Sequence, residues 1–139
     1  MSIQMILLPV FVQVALTFAV LFALGAVRGR AIREKAVGRE AVEDDTVFPP
    51  AARRVANNFR NQFEIPVLFY VLTALALFTR KADIVFVVLA WVIVLSRVVH
   101  AYVHCTSNDI RLRFPAYAVG VGALLLMWVL FAAAILLNV

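Results

Sequence analysis

Residues 1–27 and 114–139 contain no Lys, Arg, Asp or Glu. A helix needs about 20 predominantly apolar residues to cross a hydrocarbon core, and each of these runs is longer than that. The rest of the chain agrees: 65% of residues are apolar and 15% charged, where ordinary globular chains are nearer half and a quarter. Mean hydropathy is +0.98. With 139 residues, the expectation is one all-α domain, residues 1–139, built as a multi-pass membrane protein. The N-terminal run lacks a basic leader and is too long for a signal h-region, so it reads as a retained span. The single cysteine, Cys105, excludes an internal disulfide and a cysteine-rich zinc site.

Four spans are expected, at about 3–27, 51–79, 84–104 and 113–138, joined by a hydrophilic loop at 28–50 and two short turns. Four spans with short connections predict a four-helix bundle. The first span is apolar all round, with Gln13 and Thr17 marking a candidate inward side. The Pro49-Pro50 step ends the loop and starts the second span. Within that span Pro66 cannot donate to the carbonyl of Gln62, so a kink is expected there.

Basic residues fall mostly on one side. The first loop and the start of the second span hold Arg28, Arg30, Arg33, Lys35, Arg39, Arg53 and Arg54, and the third connection adds Arg111 and Arg113. The opposite side has only Arg80 and Lys81. By the positive-inside rule the first and third loops are cytoplasmic and both termini lie on the other side. This use of the positive charge, with no aromatics interleaved, argues against nucleic acid as a partner.

The same topology brings polar groups together. In the second span, Asn57, Asn61, Glu64 and Leu68 follow one helical face, with Arg60 beside them. The third span ends with Arg97, His100 and His104 at i, i+3, i+7. The end of the first span carries Arg28 and Arg30, and the start of the fourth carries Arg111, Arg113 and Tyr117. All four groups lie at one depth near the cytoplasmic interface. Polar groups at membrane depth are costly and tend to be paired or functional. His100 and His104 lack a third partner for a metal, so no metal site is expected. A simple Glu64–Arg97 ion pair accounts for two of the charges and leaves the surplus of arginine unexplained. An anion with two carboxylates and one ammonium accounts for it, with arginines forking onto carboxylates and Glu64 taking the ammonium. Glutathione has those groups, and a nearby arginine favours its thiolate.

Arg60-Asn61-x-x-Glu64, Arg97-x-x-His100 and Arg113-x-x-x-Tyr117, set in four uncharged spans, resemble the MAPEG family, the membrane-associated proteins of eicosanoid and glutathione metabolism. The resemblance covers nearly the whole chain and is strongest at 53–71 and 97–117. It implies a homotrimer of four-helix protomers with glutathione between subunits, and a lipophilic second substrate entering from the membrane lipids. By motif match, Asn61 and Glu64 with Arg60 hold the peptide, and Arg97 and His100 line the pocket. Arg113 stabilises the thiolate, with Arg111 as an alternative, and Tyr117 contacts the ligand. The chain also departs from the family pattern. Asn57 replaces an arginine, His104 a frequent tyrosine, and Phe114 a small hydroxyl residue found in some members. The implied activity is that of a glutathione S-transferase or peroxidase. Two alternatives are a catalytically silent protein of the same fold and a small proton-coupled cation transporter using Glu64.

Overall fold

A computed structural model describes all 139 residues. It contains α1 (Ile3–Arg33), α2 (Pro50–Asn61), α3 (Ile65–Thr79), α4 (Ile84–Cys105) and α5 (Ile110–Leu136). Two short 3₁₀ turns, Arg39–Val42 and Asp45–Val47, lie in the first loop. Taking α2 and α3 together, four helical segments are long and apolar enough to cross a membrane.

Local chemistry sets the ends. The Ser2 hydroxyl accepts from the amide of Met5 at the start of α1, and Asp83 accepts from Phe86 N at 2.8 Å to cap α4. Asp109 caps α5 through Arg111 N at 3.0 Å. Such caps satisfy amides that have no partner within the helix. Arg80 closes α3 in the left-handed conformation, at φ 57°. In the loop, the Thr46 hydroxyl and amide both donate to Asp44 and hold its carboxyl below the usual carboxylate range.

The expected second span is two helices. Pro66 has no amide hydrogen and sits in the first turn of α3, and Gln62, Phe63 and Glu64 form a turn in front of it. The sequence predicts a kink; the structure has a full break. The first span also runs further than expected, to Arg33, so Arg28 and Arg30 are helical. The fourth begins earlier, at Ile110.

The centre of the bundle is α4. Half of its apolar span is buried, against 22% for α1 and for α5. It packs chiefly on α5, where Gly120 lies against Ser96. A Cβ at Gly120 would collide with the Ser96 hydroxyl, which donates to Ile93 O at 2.7 Å. Phe69, Leu72, Val94 and Met127 fill the main core. Val20, Leu24, Val55, Ala56 and Ala101 form a second core nearer the loop. Leu68, Phe78, Phe22 and Leu136 remain exposed, the outward apolar surface of a bundle in lipid.

Candidate functional site

The break between α2 and α3 creates the site. In an unbroken helix the carbonyl of Asn61 would accept from the amide of residue 65. Here the turn leaves it a weak contact from Glu64 N at 3.4 Å. Arg97 takes up the freed acceptor: Nη2 donates to Asn61 O at 3.2 Å and to Asn61 Oδ1 at 2.8 Å. The sequence placed the freed carbonyl at Gln62; the one that α4 uses is one residue earlier. A guanidinium only donates, so Asn61 must turn its oxygen to Arg97 and its amide nitrogen away.

Arg97 is 2% exposed, and its Nε and Nη1 are buried without a protein partner. A buried guanidinium with unmatched donors is costly unless something accepts from them. Beside it, Asn61, His100, His104, Arg113 and Tyr117 line a cleft of about 250 Å³, flanked by Ile110 and Phe114. The His100 ring lies 5.6 Å from Tyr117 and 5.5 Å from His104, centroid to centroid. Arg113 donates through Nη1 to Asn108 Oδ1, which anchors it at the start of α5. No carboxylate lines the cleft.

The other expected residues fall elsewhere. Arg28 and Arg60 both bind Asp45, at 2.8 Å to Oδ1 and 2.6 Å to Oδ2. With Asn57 they line a second cleft, where the Arg28 guanidinium stacks over Phe48 at 4.9 Å. An acid of the first loop, read from the sequence only as part of a charged connection, therefore already balances two expected ligand arginines. Arg30 and Arg111 are exposed and line neither cleft. On α5, residues 111 and 113 point in directions about 200° apart, so only Arg113 faces inward.

Glu64 also stands apart. The sequence grouped it with Asn57 and Asn61 by unbroken helical counting, but the break interrupts that register. Its backbone lies at φ −95° and ψ −106°, outside the helical region, and its side chain is exposed. The Glu64–Arg97 ion pair considered above does not form; the only ion pairs are those of Asp45.

Two site-bordering residues were missed, while Gln13 was already expected on the inward side of the first span. Asn58 and Gln62 are fully or almost fully buried one turn apart, and Gln13 meets them from α1. Helical counting from Asn57 passed over Asn58. The i, i+4 pair of amides in an apolar setting was the signal that could have found it.

A four-segment apolar helical bundle with a donor-rich cleft at one end defines a class of integral, multi-pass membrane protein. The MAPEG family model matches residues 6–133. The chain belongs to the MAPEG family. No curated relative and no solved structure matches it.

Proposed function

We propose that this MAPEG protein binds glutathione in the cleft of Asn61, His100, His104, Arg113 and Tyr117 and uses it as a transferase or peroxidase on lipophilic electrophiles. The observation that carries this reading is the sign of the cleft. Arginine, amide, imidazole and phenol groups converge there, a second arginine lies behind with unpaired donors, and no acid is present. Such a set suits a ligand rich in carboxylate and carbonyl oxygens.

In this reading Arg97, through Asn61, and Tyr117 hold the peptide and its carboxylates. Glu64, exposed and free of any ion pair, receives the ammonium. Arg113 faces the sulfur, where a cation favours the thiolate over the thiol. The thiolate then forms a sulfur–carbon bond to the electrophile while the leaving group departs with its electron pair. With a lipid hydroperoxide, the sulfur instead takes the distal O–H and expels the alkoxide, which leaves as the alcohol after taking a proton from water. A second glutathione then reduces the sulfenic acid, giving the disulfide and water. Beyond thiolate formation, the cleft contributes by positioning.

The assembly we propose is a homotrimer. The exposed apolar faces of α1 and α5 meet neighbouring copies and lipid, and the basic end faces the cytoplasm. Arg28, Asn57 and Arg60 form a separate surface held by Asp45, and Arg30 and Arg111 serve orientation. The test is the ultraviolet difference spectrum of glutathione mixed with the protein in nanodiscs at neutral pH. A thiolate band that Arg113→Ala removes and Arg111→Ala retains supports the reading; no band at saturating glutathione contradicts it.

A further inference from the structure

Behind the cleft, three buried amides connect α1 to α4. Gln13 Nε2 donates to Gln62 Oε1 at 3.0 Å, and Gln62 Nε2 donates to Asn58 Oδ1 at 2.9 Å. Asn58 Nδ2 lies 3.2 Å from His104 Nδ1. Gln13 and Asn58 are 0% exposed and Gln62 is 1% exposed. Buried amides are costly unless bonded, so a linked run of three across an apolar bundle calls for an account.

The direction of the chain is fixed at Gln62. Its Nε2 also lies 3.5 Å from the backbone carbonyl of Asn58. Reversing the amides would set Gln62 Oε1 against that carbonyl, two acceptors face to face. With Gln62 so oriented, Asn58 Oδ1 accepts and Asn58 Nδ2 must donate. A donor facing His104 Nδ1 needs that nitrogen unprotonated, so the proton of the neutral ring is on Nε2. His104 Nε2 has no protein partner yet is not sealed from the surface, and the ring lines the cleft.

We propose that Gln13, Gln62 and Asn58 are positioning residues that hold His104 as its Nε2–H tautomer. The imidazole then offers the cleft a neutral hydrogen-bond donor aimed at a carbonyl or carboxylate oxygen. In this state Nε2 cannot accept a proton, so His104 is a donor toward the ligand and not a base for its thiol. The ligand part of this inference rests on the glutathione reading; the tautomer does not.

The experiment is a long-range proton–nitrogen NMR spectrum of the full chain in nanodiscs with ¹⁵N-histidine, recorded without glutathione. His100 and His104 are the only histidines, and His100→Gln assigns the pair. The expected spectrum has His104 with an unprotonated Nδ1 and a protonated Nε2. Asn58→Asp places an acceptor against Nδ1 and should move the proton there. Gln62→Leu frees Asn58 to flip and should give a mixture, with glutathione affinity falling in proportion to the remaining Nε2–H fraction, about twofold for an even mixture. Protonated Nδ1 in the wild type overturns the proposal, as does an unchanged spectrum in Asn58→Asp. If Asn58→Asp does not fold, the wild-type spectrum and Gln62→Leu decide. Absence of glutathione binding beside an Nε2–H spectrum would remove the functional reading and leave the tautomer standing.

Discussion

Arg97 of α4 holds Asn61 by two acceptors at once, the backbone carbonyl at 3.2 Å and the side-chain oxygen at 2.8 Å. The contact joins the central helix to the end of α2 at the point where the chain breaks. It also leaves the Asn61 amide nitrogen turned away from Arg97.

Asn61→Leu removes the side-chain acceptor and leaves Arg97 more poorly matched. Hydrogen bonds to charged groups are each worth ~1.5–3 kcal/mol, so unfolding in detergent should show a loss of that order. Arg97→Lys keeps the charge, but a single ammonium cannot replace the Nε and Nη1 donors that Arg97 holds without a protein partner. It should retain most of the fold and lose glutathione affinity by about tenfold or more.

Pro66→Ala restores an amide at the break. The chain from Pro50 to Thr79 can then extend its helix through residues 62–64, drawing the Asn61 carbonyl back into the helical ladder. Hydrogen exchange at residues 62–65 should slow, and glutathione binding should weaken. Faster exchange there would argue that the turn is held by something other than the proline.

Much of this was legible in the sequence. The uncharged runs at 1–27 and 114–139 marked the spans, and Arg97, His100, Arg113 and Tyr117 share a layer because spans of opposite direction end and begin at one face. Glu64 and Arg60 lie outside the cleft lining for a physical reason. A break resets helical register, and spacing alone cannot say whether a proline kinks a helix or divides it. Arg60 and Arg28 met Asp45 because a loop fold, which has no period to read, carried the acid back to them.

Asp45→Asn tests that loop contact. All three side chains are partly exposed, and pairs of this kind contribute ~1 kcal/mol or less. Global stability should change little, while limited proteolysis within residues 34–49 should speed up. High salt should produce the same effect in the wild type.

Gly120→Ala tests the α4–α5 contact. The new methyl group meets the Ser96 hydroxyl, and overpacking of this kind costs roughly 1–3 kcal/mol. Ser96→Ala in the same chain should recover most of the loss, a coupling that a double-mutant cycle in thermal unfolding reads directly.

The most direct test of the glutathione reading is calorimetric titration of glutathione into the wild-type protein and Arg113→Ala, side by side in nanodiscs. Saturable binding in the wild type that weakens at least tenfold in Arg113→Ala is the predicted result. No binding at millimolar glutathione, or equal affinity in the two proteins, would contradict it.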